Sequence, residues 1–113
     1  HAAVIAARKM KVRTIAVVTG SGGAARLMSE YRPEAEIVAL TTDEVQFRRL
    51  ALVWGVTPVH IPHSATTDEV IDQVEATLLS RHLAVAGEHV IITMGVPVGA
   101  GVQTNLLKIH QMS

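Results

Sequence analysis

The sequence predicts an α/β fold: a three-layer α/β/α sandwich around a mostly parallel five-stranded sheet, with the last strand antiparallel at an edge. Three observations predict it. Short β-branched runs alternate with helical patterns almost to the end of the chain. The segment 89–94 is continuously apolar, as strands covered on both faces are. The last two strand segments are joined by about ten residues with no helical pattern, a connection that suits an antiparallel pair and not a parallel one.

The elements follow in order. Residues 2–11 read as a helix whose basic end (Arg8, Lys9, Lys11) complements the negative pole of the helix dipole. Residues 14–19 are the first strand. Residues 23–31 form a second helix, stopped by Arg32-Pro33, and residues 36–41 a second buried strand. Thr41-Thr42-Asp43-Glu44 reads as a capping box for a third helix, with Val45, Leu50, Leu52 and Val53 as its apolar positions and Gly55 as its stop. Val56–Ile61 is a short third strand, and Pro58 inside it favours an edge position. A second box, Thr66-Thr67-Asp68-Glu69, opens a helix that buries Val70, Ile71, Val74, Leu78 and Leu79 and runs to about Ala84. Gly87 marks the turn into strand four, and a last strand lies near 105–110. The chain reverses after its first strands, so a ligand crevice is expected at the carboxyl ends of strands one and four. That would bring the Thr19–Ala25 loop beside the Gly95–Thr104 loop.

Bulk composition narrows the function classes. The chain has 113 residues, the size of one domain (1–113), and is 49% apolar, mostly aliphatic. Its formal net charge is zero with both signs interspersed, which argues against a nucleic-acid partner held by bulk electrostatics. No cysteine is present, so disulfides, thiolate metal sites and thiol nucleophiles are excluded. No apolar stretch approaches the roughly 20 residues of a membrane span. A soluble cytoplasmic domain without a membrane partner is the expectation. The chain opens on His1 directly into what reads as helix interior, the expectation being a piece of a longer polypeptide.

The run Thr14-Ile15-Ala16-Val17-Val18-Thr19-Gly20-Ser21-Gly22-Gly23-Ala24-Ala25 carries the strongest chemical signal. A strand, a small-residue loop and a helix start make an anion site: the first helical N–H groups lack partners, the dipole adds positive charge, and glycines admit a phosphate to the backbone. Thr19 and Ser21 add hydroxyl donors. Three readings stand. The loop lacks the Gly-Lys-Ser/Thr ending of a P-loop, so nucleotide hydrolysis is disfavoured. Gly20, Gly22 and Ala25 fit a dinucleotide pattern, but strand two ends in Thr41-Thr42 where an acid should meet the ribose. A phosphate or sugar-phosphate receptor, or a tight turn with no ligand, remain.

Other candidates carry less. His60-Ile61-Pro62-His63 has three-residue spacing but no carboxylate or thiolate close by, so no metal site is assigned. Ser21 has no base or oxyanion site within sequence reach, and no catalytic residue is assigned. Trp54 reads as a helix-end packing residue. Arg26 and Arg32 are expected near the glycine loop, either assisting a phosphate or solvated.

Val18–Ala25 followed by Tyr31-Arg32-Pro33-Glu34-Ala35, Ile37-Val38-Ala39-Leu40-Thr41 and Leu52-Val53-Trp54-Gly55-Val56-Thr57-Pro58 resembles the carboxy-terminal domain of the pyruvate kinase family. So do Gly95-Val96-Pro97-Val98-Gly99 and Thr104-Asn105-Leu106-Leu107-Lys108-Ile109, and the likeness covers nearly the whole chain in the family's order.

The resemblance implies the fold already read and a regulatory part of a larger enzyme. In that family a separate barrel transfers phosphoryl from phosphoenolpyruvate to ADP with magnesium and usually potassium, so this chain alone is expected to be inert and free of cofactors. It further implies a phosphorylated effector, such as fructose 1,6-bisphosphate, a sugar monophosphate or AMP. The phosphate would be held by Thr19, Gly20, Ser21, Gly22, Gly23 and Ala24, with Gly99, Gly101 and Thr104 as the second wall. Partners implied are the catalytic barrel of the same polypeptide and a homotetramer, with the edge strand Leu106–His110 near one subunit interface. The chain departs from the family where Ala24 or Ala25 replaces a frequent hydroxyl residue, where Gly20 replaces an occasional lysine, and in the spacing before Thr104-Asn105. Each missing hydroxyl weakens a phosphate by on the order of 1 kcal/mol. Two alternatives therefore stand beside the regulatory reading: an assembly module with a vestigial pocket, and a free-standing phosphate or dinucleotide binder.

Overall fold

The computed structural model describes residues 2–64, 66–94 and 106–113. Helix α1 (Ala2–Met10) leads into β1 (Thr14–Val18), then α2 (Gly23–Glu30), β2 (Glu36–Thr41), α3 (Glu44–Leu50) and β3 (Val56–His60). Helix α4 (Thr67–Ser80) connects to β4 (His89–Met94), and β5 (Leu106–Gln111) completes a sheet of order β3-β2-β1-β4-β5. The first four strands are mutually parallel and β5 pairs antiparallel with β4, from His89↔Gln111 to Met94↔Leu106. The architecture is the one expected.

Strand periodicity divides the core in two. Ile15, Val17, Ile37, Ala39 and Ile91 face the layer of α1, α2 and α3, meeting Val4, Ala7, Met28 and Leu50. Their alternates Ala16, Val38, Leu40, Ile92 and Met94 face α4, meeting Val70, Val74 and Leu78. Each of those three α4 side chains contributes roughly 1.5–3 kcal/mol by leaving water. The β1–α2–β2–α3–β3 winding runs one way along the sheet, and α4 then carries the chain over the opposite face to β4. The direction of winding therefore reverses between β1 and β4.

Several boundaries differ from expectation for identifiable reasons. Helix α3 ends at Leu50, because Leu52 and Val53 donate to Arg49 and Leu50, three residues back, in tight turns of 3.1 Å each. Only Leu50 of its expected apolar set is buried; Val45 is exposed and Leu52 is 89% exposed. Its cap is Asp43, whose carboxylate accepts from Val45 and Gln46 N–H at 2.8 and 3.2 Å, while Thr41 stays in β2 and accepts from Asp43 N–H. Thr66 does cap α4, accepting from Glu69 N–H at 3.1 Å. Helix α4 stops at Ser80, where His82 turns left-handed (φ 58) and Leu83 N–H closes on Leu78 carbonyl at 2.8 Å. Pro58 does not interrupt β3; it pairs with Ala39 on an edge, where its missing N–H costs no ladder bond.

Two side-chain clasps tie distant segments. Arg13 forks onto Glu88 (Nε–Oε2 2.7 Å, Nη2–Oε1 2.8 Å), joining the start of β1 to the turn before β4. His110 Nε2 and Glu75 Oε2 lie 2.6 Å apart, holding the edge strand β5 to α4. The hydrogen bond from Arg13 holds the Glu88 carboxyl below the usual range, and the bond with His110 does the same for Glu75.

Two predictions follow from these features. Left-handed backbone disfavours a Cβ, so His82→Gly should raise stability by about 1 kcal/mol in urea unfolding. A depressed carboxyl pKa adds stability present above its unfolded value of about 4.3 and lost as pH falls through the folded value. Glu88→Gln should accordingly be less stable than the parent at neutral pH, with the gap closing in acid.

Candidate functional site

The glycine loop sits where the carboxyl end of β1 meets the amino end of α2. Thr19 N–H still donates to Leu40 carbonyl at 2.9 Å, so the loop leaves the sheet from a fixed point beside β2. Gly22 then adopts φ 83 and serves as the α2 N-cap without a side-chain capping bond. A Cβ at Gly22 would lie 3.0 Å from Arg26 Nη1 and 3.1 Å from Leu50 Cδ2, so both conformation and space require glycine. Gly20 is different: a Cβ there meets nothing within 4 Å among the described residues.

The loop's hydroxyls are already engaged with its backbone. Thr19 Oγ1 accepts from Gly22 N–H at 2.9 Å, and Ser21 Oγ accepts from Gly23 N–H at 3.3 Å. Each hydroxyl hydrogen stays available to donate, because both contacts use an oxygen lone pair. The N–H groups of Ala24 and Ala25, at the second and third helical positions, have no partner among the described residues.

Arg26 supplies the positive charge. Its Nη1 donates to Ser21 carbonyl at 2.9 Å and its Nη2 to Gln46 Oε1 at 3.3 Å, which lays the guanidinium along the loop and links it to α3. The structure thus puts Arg26 at the loop and separates Arg32 from it. Arg32 follows α2 at the opposite end of the sheet, its guanidinium 4.9 Å from the Trp54 ring. Trp54 is correspondingly no packing residue: it is 61% exposed with that arginine over its face.

The arrangement suits an anion and offers little for covalent chemistry. No base contacts Ser21 Oγ among the described residues. Of the acids opening α3, Asp43 is occupied in capping and Glu44 pairs with Arg48 at 2.9 Å. That leaves no acid at the end of β2 for a ribose, against the dinucleotide reading. His60 Nε2 lies 3.1 Å from Thr42 carbonyl, and no group of three or more metal-ligating side chains occurs among the described residues. No helix among them is long and apolar enough to cross a membrane.

The structure brings Thr19, Gly20, Ser21, Gly22, Gly23 and Ala24 together at the end of β1, beside β4. The expected second wall, Gly99, Gly101 and Thr104, lies outside the described residues, as does the whole Gly95–Thr104 loop. One further residue at this end escaped sequence reasoning. Thr93, in register with Val17 near the end of β4, is buried with Oγ1 unpartnered among the described residues. Its only signal was a hydroxyl in an otherwise aliphatic strand.

Comparison with known proteins decides the family. The model for the pyruvate kinase alpha/beta domain matches residues 1–110. The chain belongs to that family. It is 43% identical over 107 residues to pyruvate kinase of Geobacillus stearothermophilus, covering 95% of this chain and 18% of that protein. It is 40% identical over 105 residues to pyruvate kinase of Lactococcus lactis subsp. lactis (strain IL1403), covering 93% and 21% respectively. A crystal structure of a pyruvate kinase from Cryptosporidium parvum superposes with a TM-score of 0.86 at 28% identity, covering 99% of this chain and 21% of that one. The chain therefore spans about a fifth of the length of these relatives.

The glycine requirement at position 22 gives a direct prediction. Gly22→Ala should cost about 1–3 kcal/mol in urea unfolding, from the left-handed backbone and from crowding against Leu50. Gly20→Ala, whose Cβ meets none of the described residues, should be close to neutral by the same measurement.

Proposed function

We propose that this chain is the effector-binding and subunit-assembly domain of a pyruvate kinase, the parent enzyme transferring phosphoryl from phosphoenolpyruvate to ADP. The observation that carries the effector site is the loop at the carboxyl end of β1. It gathers two N–H groups at the α2 start without a partner among the described residues, two hydroxyl groups and the Arg26 guanidinium. The ligand class is a phosphorylated small molecule: fructose 1,6-bisphosphate, a sugar monophosphate or AMP. Magnesium and potassium belong to the barrel of the parent and have no role in this domain.

Binding exchanges internal bonds for external ones. A phosphate oxygen competes with Thr19 Oγ1 and Ser21 Oγ for the Gly22 and Gly23 N–H groups, and the displaced hydroxyls turn their hydrogens toward the ligand. Such an exchange keeps the free loop satisfied, at some expense in affinity. Arg26 carries the change to α3 through Gln46. Regulation then operates by differential affinity: the effector favours the subunit arrangement that binds phosphoenolpyruvate better. The exposed edge of β5, with Leu107 and Ile109 both over 40% exposed, is the proposed seam between subunits of a homotetramer.

Amide NMR titration of the chain with fructose 1,6-bisphosphate, ribose 5-phosphate, AMP and NAD tests the site. Saturable shifts confined to 19–25 and α3 are expected for a sugar phosphate or AMP. Ser21→Glu should abolish them by repulsion and blockage, and Arg26→Gln should weaken binding about tenfold, the loss of one charge-assisted hydrogen bond. Unchanged affinity in Ser21→Glu would move the site elsewhere. Shifts with NAD alone would restore the dinucleotide reading.

A further inference from the structure

A second concavity lies at the opposite edge of the sheet, where β1 and β2 begin. This groove of about 710 Å³ runs between the end of α1 and the α2–β2 connection. Val4, Ala7, Val12 and Ala35 supply apolar lining. Four of the chain's ten Lys and Arg side chains also line it: Arg8, Lys11, Arg13 and Arg32. Against them stand Glu34 in the wall and Glu88, already forked by Arg13. Arg8, Lys11 and Arg32 make no ion pair among the described residues. The groove is therefore a net cationic hollow in a chain of zero net charge.

Helix-end electrostatics explains part of this but not all. Arg8 and Lys9 in the last turn of α1 complement its dipole wherever they point. Lys11 and Arg32 lie beyond their helices, in left-handed backbone at φ 56 and φ 46. Glycine is the ordinary occupant of that position, and any other side chain there is conformationally costly. On two walls of one groove the chain keeps a cation where backbone preference asks for none. His82 takes the same backbone after α4, so what distinguishes Lys11 and Arg32 is that both line one groove.

We infer that this groove is a binding site for a small phosphate-bearing polyanion, separate from the glycine loop, with Arg8, Lys11 and Arg32 as its ligating cations. The inference rests on the geometry of this edge alone and stands or falls apart from the effector site at the end of β1. The groove's volume of about 710 Å³ leaves room for a diphosphate group, and its cations come from two chain segments, so a ligand with two anionic groups bridges them. Arg32 also touches the chain's single tryptophan, which gives the site an optical reporter: an anion that draws the guanidinium alters the environment of Trp54.

The test is titration of the 113-residue chain with inorganic pyrophosphate at constant ionic strength, following Trp54 emission and backbone amide shifts. The expected result is a saturable change in emission with amide shifts clustered at 8–13 and 32–35. Lys11→Gly separates function from fold: it should match or exceed the parent in thermal stability yet bind pyrophosphate about tenfold more weakly. Arg8→Glu, at an exposed position, should weaken binding at least as much. Four results would overturn the inference: no saturation, an equal response to matched chloride, shifts confined to 19–25, or undiminished affinity in Lys11→Gly.

Discussion

Two-sided burial of β1 is the constraint on which the remaining structure depends. Ile15 and Val17 enter one core and Ala16 the other, all without solvent exposure. A strand in that position must have paired neighbours on both edges and a helical layer on both faces. Winding outward to β3 with α2 and α3 covers one face only. The chain then has to return across the other face with α4 and pair β4 on the free edge of β1. The crevice between the ends of β1 and β4 is thus a by-product of covering both faces of a central strand. A loop that leaves β1 there passes, after Thr19, beyond the pairing that the neighbouring strand supplies.

The fold was legible because its signals were local and redundant. Strands β1 to β4 announced themselves by β-branched residues, and Pro58 correctly marked an edge. Boundaries were less legible where two hydrogen-bonding options compete within one turn. Thr41 and Asp43 can each cap a helix; β2 continues through Thr41, so the cap falls to Asp43. Apolar periodicity likewise overstated α3. Leu52 and Val53 continue the helical pattern, but the tight turns after Leu50 redirect the chain, leaving Leu52 in solvent and Val53 only partly buried against the core.

The candidate site was legible in its backbone and not in its charges. The order of glycines and hydroxyls announced the turn, and the left-handed Gly22 accounts for it. Which arginine serves the loop was not readable, because Arg26 and Arg32 are six residues apart on one short helix and its end. An eight-residue helix separates its ends by roughly 12 Å at 1.5 Å per residue, enough to send the two guanidinium groups to opposite edges of the sheet. Sequence distance from a loop is thus a poor guide to charge near it whenever a helix intervenes.

The same parallel winding also separates the two ends electrostatically. In every β–α–β unit the helix amino end returns to the carboxyl edge of the sheet, and its carboxyl end to the opposite edge. Acids accordingly gather with the helix starts, at Asp43, Glu44, Asp68 and Glu69, and bases with the helix ends, at Arg8, Lys9, Arg48 and Arg49. Zero net charge conceals this polarity, which composition alone, arguing only against a nucleic-acid partner held by bulk electrostatics, could not reveal. Helices α1 and α2 open there without an acidic residue, and in the first turn of α2 stands Arg26, its guanidinium on the Ser21 carbonyl. That edge therefore carries two helix starts free of acid, α1 and α2, and two that carry carboxylates, α3 and α4.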